Sequence, residues 1–207
     1  MSNIFKTNIW NKIRYTVYLP VYNITVALLD NARKRSIDLA RIQTDEKILI
    51  VGGGTGLDLV HLQHCRNITI TDITPAMVSK AERLSGKLNM NVNAQVMDGQ
   101  KMSFPDNSFD VVILHLILAV IPNPYMCILE SERVLKPGGR IAVLDKFLQK
   151  EKPGLIRRII NPFSIFFFTD INRRLKDILS VTNLKIIHEE PSLLNGFFRI
   201  YQLRKEI

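Results

Sequence analysis

The sequence predicts a doubly wound α/β fold, and three observations predict it. Short apolar runs alternate along the chain with segments whose apolar residues recur at helical spacing. A glycine cluster, Gly52-Gly53-Gly54-Thr55-Gly56, follows directly on the first such run. A carboxylate, Asp72, closes the second run about 20 residues later, where a doubly wound sheet presents ligand-binding groups. With 207 residues, 46% of them hydrophobic and 23% charged, the chain has enough apolar material for one sizeable core.

Pro20 is suited to the first turn of a helix running to about Ala40. Lys47-Ile48-Leu49-Ile50-Val51, ended by glycine, reads as a buried parallel strand. Further strands are predicted at Ile68–Thr71, Val92–Val96, Val111–His115 and Arg140–Asp145, with helices at Leu57–His64, Thr74–Ser85 and Pro124–Leu135 between most of them. In the second of these helices Thr74 reads as the N-cap, Pro75 as the first helical residue, and Met77, Ala81 and Leu84 as its apolar face. Lys136-Pro137-Gly138-Gly139 cannot continue a helix and reads as a turn. Beyond Lys150 helices are expected around Leu155–Phe168 and Asp170–Leu179, then strands at Leu184–His188 and Phe197–Leu203. Residues 1–44 are expected to form an N-terminal helical lid on a domain spanning 45–207.

Composition narrows the function. The longest apolar run, Val111–Ile121, contains His115 and is about half the ~20 residues that a membrane-spanning helix needs. Met1–Tyr15 lacks the apolar core and cleavage site of a secretory signal, so the protein is expected in the cytoplasm. Cys65 and Cys127 lie far apart with no ligand spacing around them, and His61 and His64 lack a third ligand, so no metal is expected. The net charge of +9 is uneven: residues 1–44 and 150–207 each carry +5, and the segment between them carries −1. Phe5, Trp10, Tyr15, Tyr18 and Tyr22 lie among Lys6, Lys12 and Arg14, a pattern suited to a membrane surface. Residues 153–169 likewise set Arg157 and Arg158 among isoleucines and phenylalanines, which suits a lid over a lipid with an anionic phosphate. An ordinary amphipathic helix covering the sheet is the competing reading.

The glycine spacing selects among nucleotide-like ligands. Gly52, Gly54 and Gly56 are spaced Gly-x-Gly-x-Gly, and Leu57 stands where a dinucleotide fingerprint needs glycine. No Gly-Lys-Ser/Thr follows, which excludes a P-loop. Asp72 is placed to accept both hydroxyls of a ribose.

Here the sequence resembles the class I S-adenosylmethionine-dependent methyltransferases. The likeness rests on the loop, on Asp72, on Val96-Met97-Asp98-Gly99, on Phe104-Pro105-Asp106-Asn107-Ser108-Phe109-Asp110 with the apolar strand after it, and on Leu135-Lys136-Pro137-Gly138-Gly139. Together they cover about residues 47–146. The resemblance implies a Rossmann-like, seven-stranded sheet, mostly parallel with its last strand antiparallel. It implies S-adenosylmethionine as cofactor, its methionine end on Gly52, Gly53, Gly54, Thr55 and Gly56, its ribose on Asp72 beside Ile73 and Met77, and its adenine on Asp98 and Gly99. One departure stands out: the family usually has Glu or Asp two residues before the first loop glycine, and this chain has Ile50. That residue motivates a third reading, a cofactor-binding protein without catalysis.

Within the family, His115-Leu116-Ile117-Leu118-Ala119-Val120-Ile121-Pro122-Asn123-Pro124 resembles bacterial phosphatidylethanolamine N-methyltransferases and, less closely, quinone C-methyltransferases. Pro20-Val21-Tyr22-Asn23 and Asn195-Gly196-Phe197-Phe198-Arg199 resemble the same lipid enzymes. The resemblance implies a lipid or small hydrophobic acceptor, the leading candidate being the phosphatidylethanolamine amine, with a peripheral membrane surface and no nucleic acid partner. His115, at the fourth strand's end, is expected to touch the cofactor or to orient or deprotonate the acceptor, and Tyr22 to close over it. A hydrogen-bonded core histidine and a helix-packing tyrosine are the alternatives. Asn123-Pro124-Tyr125 lies too far from that strand's end to be the motif of base amino-methyltransferases.

Overall fold

In the computed structural model, residues 29–148 and 173–206 are described. The first part of the expected N-terminal helix (residues 20–28), Tyr22 itself and the 153–169 segment lie outside them. Helix α1 (Asp30–Ala40) leads to β1 (Lys47–Val51), a short 3-10 helix (Leu57–His61), β2 (Asn67–Asp72), α2 (Pro75–Lys87), β3 (Val92–Val96) and β4 (Phe109–His115). Then come α3 (Pro124–Val134), β5 (Leu135–Lys146), α4 (Leu175–Leu179), β6 (Lys185–Pro191), α5 (Leu193–Gly196) and β7 (Phe198–Arg204).

The seven strands form one sheet in the order β3-β2-β1-β4-β5-β7-β6. Strands β1 to β5 pair in parallel, and β7 runs antiparallel to both β5 and β6. Strand order reverses between β1 and β4, so their carboxyl ends flank the crevice where such sheets bind ligands.

Each face of the sheet is apolar and carries its own helices, as a parallel sheet requires. Leu49, Val51, Val112, Leu114, Ile141 and Val143 pack with Cys127 and Ile128 of α3 and Ile178 of α4. Ile48, Ile50, Val111, Ile113 and Ala142 pack on the opposite face with Ile37 of α1, Leu59 of the 3-10 helix and Ala81 of α2. Arg140 fixes the end of α1, donating to the carbonyls of Ala40 and Arg41 and pairing with Glu46.

Three expectations need local correction. The segment at Leu57–His64 closes as a five-residue 3-10 helix, entered from Gly56 in a left-handed conformation. The expected turn Lys136–Gly139 is incorporated at the start of β5: Leu135 pairs with Phe109, the register shifts before Val111, and Gly138 turns at φ 75°. Thr74 does stand at the N-cap of α2 with extended backbone, but its side chain makes no capping bond. Leu114, fully buried at the sheet's centre, gives the fold prediction: Leu114→Ala lowers unfolding free energy by about 2–5 kcal/mol in a denaturant titration.

Candidate functional site

The site is built at the carboxyl ends of β1 to β5. After Val51 the chain turns through Gly52 (φ 64°), Gly54 (φ 56°) and Gly56 (φ 84°), left-handed conformations that side chains disfavour. Space is as restrictive as conformation. A Cβ on Gly52 would stand 2.2 Å from Ile117 Cδ1, and one on Gly53 2.5 Å from Ile70 Cδ1. The loop therefore lies as bare backbone against the sheet, and Asp72 holds it there. Its Oδ2 accepts from Gly54 N at 3.0 Å and its Oδ1 from Thr74 N at 2.8 Å. Burial raises the Asp72 pKa, and these two N–H bonds oppose the rise. Each oxygen keeps a lone pair for a ligand hydroxyl. Met77 is buried and Ile73 half-buried beside it.

Asp98 continues this edge after β3. It accepts from the backbone N–H of Gln100 at 2.9 Å and from the Gln100 side-chain amide, whose carbonyl in turn accepts from Asn123 N at 2.9 Å. Gln100 was not singled out from the sequence, although an acid two residues before an amide side chain is a turn signal. Gly99 is buried, and a Cβ there would meet Val51 Cγ1 at 2.6 Å, so its role in the fold is close packing.

His115 lies in a buried network. Its side chain is fully buried, with Nδ1 2.7 Å from Asp58 Oδ1 and Nε2 2.9 Å from Ser36 Oγ. Arg33 of α1 donates to the same Asp58 oxygen at 2.8 Å. An ionised Asp58 only accepts, which assigns the proton on Nδ1 and turns Nε2 to the Ser36 hydroxyl. The order Ser, His, Asp is that of hydrolytic triads, but Ser36 is wholly buried in the middle of a helix, where no substrate reaches it. Both ring nitrogens are spent, so His115 is a hydrogen-bonded core histidine that fastens α1 to the glycine loop's exit and the end of β4. Burial alone would raise the Asp58 pKa, but Arg33 and His115 more than offset it and hold the carboxyl below the usual range.

The loop after β4 is clamped by groups that sequence reasoning missed. Leu116 takes φ 60° and donates to Leu144 O at 2.8 Å. Buried Asp145 accepts from Ala119 N at 2.9 Å, while Arg173 donates to the carbonyls of Leu118 and Ile121 at 2.6 and 2.7 Å. These pairs are 26 to 55 residues apart in sequence, and local pattern carries no trace of them.

Other sequence candidates resolve simply. Ile50 is buried in the sheet's apolar face, so the acid usual at this position has no replacement there. His61 pairs with Asp30 and His64 with the Ile42 carbonyl, and no metal-holding cluster occurs among the described residues. Burial pushes the thiols of Cys65 and Cys127 up to about 11 and 12, which leaves them inert. A cleft of about 510 Å³ beside Lys47, Arg66 and Asn67 opens at the opposite end of the strands, away from this chemistry.

A parallel sheet with a glycine cradle at its switch point, followed by one carboxylate after β2 and another after β3, defines a nucleotide-cofactor domain of the S-adenosylmethionine type. Residues 49–143 match the family described as "Methyltransferase domain". The chain is 22% identical over 162 residues to the phosphatidylethanolamine N-methyltransferase of Cereibacter sphaeroides, covering 77% of this chain and 80% of that one. It is 30% identical over 143 residues to the ubiquinone/menaquinone biosynthesis C-methyltransferase of Azotobacter vinelandii, covering 65% of this chain but only 55% of the relative. In structure it is similar to an S-adenosylmethionine-dependent methyltransferase of Methanosarcina mazei, with a TM-score of 0.67, 22% identity and coverage of 83% and 97%. It is also similar to the [4+2]-cyclase SpnF, with a TM-score of 0.72, 17% identity and coverage of 86% and 81%. Over residues 49–143 the chain carries a methyltransferase domain, and it is similar to class I S-adenosylmethionine-dependent methyltransferases.

The buried network yields a stability prediction. Arg33→Met leaves Asp58 charged and buried with one partner fewer, and costs about 3–5 kcal/mol near neutral pH by denaturant unfolding. Because the folded pKa of Asp58 is depressed, its contribution is present above the unfolded carboxylate range and is lost as pH falls through the folded value. The difference between the two proteins therefore narrows in acid.

Proposed function

We propose that the protein transfers a methyl group to a membrane-associated lipid, the amine of phosphatidylethanolamine being the acceptor its site suits best. The cofactor supplies a methyl group on a sulfonium, open to in-line displacement. Gly52 to Gly56 would hold its amino-acid end through backbone groups, Asp72 with Ile73 and Met77 its ribose, and Asp98 with Gly99 its adenine. The donor set fits that assignment: a cradle that a Cβ would fill, and two carboxylates with lone pairs to spare. With Ile50 apolar, the charged amino-acid end relies on backbone N–H groups.

The observation that carries the acceptor class is the closed state of His115. With both ring nitrogens occupied, the side chain at the end of β4 takes no proton from an acceptor. Asp145 on the next strand is engaged by two backbone N–H groups. The chain's contribution is then positioning, which is sufficient for an amine that loses its proton to water before attack. Tyr22 is proposed to close over the acceptor. The basic flanks, each of +5, and the aromatic residues among them support peripheral contact with an anionic membrane. Among the described residues no helix is long and apolar enough to cross one.

The second reading, a quinone acceptor, is favoured by the 30% identity to quinone C-methyltransferases. The third, cofactor binding without methyl transfer, is favoured by Ile50 and by a structural neighbour described as a cyclase. Incubation with methyl-labelled S-adenosylmethionine and total bacterial lipid extract separates them. Label is expected in methylated phosphatidylethanolamine. Label confined to quinones selects the second reading, and cofactor binding without any label the third.

A further inference from the structure

At the carboxyl end of β5, two strands from the glycine loop, the last residue is Lys146. It pairs across the sheet with Phe198, and its ammonium stands 5.8 Å from the Phe198 ring centroid. Leu144, Phe198 and Ile200 are buried here under Leu29 and Ala32 at the start of α1, and Leu116, Leu193 and Phe197, packed against them, stay half-buried as an apolar rim. One cation sits at its edge.

Apart from Lys80 on α2, the other buried and half-buried basic groups among the described residues are neutralised or capped. Arg33 pairs with Asp58, Arg140 with Glu46, Arg133 with Glu130 and Asp106, and Arg199 with Glu189, while Arg173 caps carbonyls. Lys146 is half-buried, yet among the described residues its ammonium makes no hydrogen bond or ion pair. The neighbouring Asp145 gives its two oxygens to the N–H groups of Ala119 and Lys146. Strand alternation directs it to the opposite face. Burial lowers the Lys146 pKa, with Asp145 opposing the fall. A cation held where burial disfavours charge, with only an aromatic face beside it, is incomplete until an anion meets it.

We propose that Lys146 binds the phosphate of an amphiphilic acceptor whose acyl chains lie on the half-buried Leu116, Leu193 and Phe197 beside it. The proposal rests on the lipid reading above and narrows it to phosphate-bearing lipids, since a quinone offers Lys146 no anion. A headgroup phosphate and free inorganic phosphate share this chemistry, and the apolar rim favours the headgroup.

Titration calorimetry on the full chain tests this with short-chain dihexanoyl phosphatidic acid, dihexanoylglycerol and inorganic phosphate. The phosphatidic acid is expected to bind at least about tenfold more tightly than either of the others, a difference of ~1.4 kcal/mol. Lys146→Met is expected to abolish the preference and Lys146→Arg to retain it, with S-adenosylhomocysteine affinity unchanged in both. The wild-type preference should fade as pH rises, starting below the 10.5 of an ordinary lysine. A preference that survives Lys146→Met in a folded protein overturns the proposal. So does inorganic phosphate binding as tightly as the lipid. If the lipid extract assay puts no label on phosphatidylethanolamine while the Lys146-dependent preference stands, the acceptor reading falls and the anion site remains.

Discussion

The two oxygens of Asp72 hold the site together. One takes the N–H of Gly54 and the other the N–H of Thr74, so a single carboxylate sets the glycine loop after β1 and the start of α2. The loop needs such a tether because its glycines adopt left-handed conformations and have little side-chain packing of their own. Once it is tethered, Gly52 lies against Ile117 and Gly53 against Ile70, which fixes the loop relative to both β2 and the segment after β4. The carboxylate can serve a ligand only because its loop contacts use backbone donors and leave lone pairs free.

A second layer of constraint surrounds that tether. Asp58, two residues beyond Gly56, gathers Arg33 and His115, and His115 reaches Ser36, so α1 is bound to the exit of the cofactor loop through buried charge and hydrogen bonds. On the other face Asp145 and Arg173 clamp the loop after β4, and Gln100 links the loop after β3 to Asn123. Rigid loops around a crevice suit a reaction whose catalysis is mainly placement of two reactants. The buried charges are costly in isolation, and Asp58 is stable here because Arg33 of α1 and His115 of β4 both meet it.

What the sequence disclosed follows from the range of the interactions. Strands β1 and β3 were readable to the residue because an apolar run ended by glycine, in β1, and apolar–polar alternation, in β3, are local signals. The doubly wound class and the places of the glycine loop after β1 and Asp72 at the end of β2 were legible because spacing around the first βαβ unit is itself a constraint. The seven strands with an antiparallel last one came from the family resemblance. His115 was legible as a residue at the strand's end but its partners were not, since Asp58 and Ser36 approach it from 57 and 79 residues away. Asp145, Arg173 and Lys146 escaped notice for the same reason. In sequence they look like ordinary charges, and only pairing across the sheet shows which are satisfied.

The central claim is that Asp72 organises a cofactor cradle. Its most direct test is calorimetric titration of S-adenosylhomocysteine into the wild-type protein and Asp72→Asn. The amide substitution removes an acceptor while keeping shape, which leaves a loop N–H unsatisfied at a cost of about 1–3 kcal/mol. Binding is expected to weaken roughly 5- to 150-fold in a protein that still unfolds cooperatively. Unchanged affinity in the folded variant would contradict the claim.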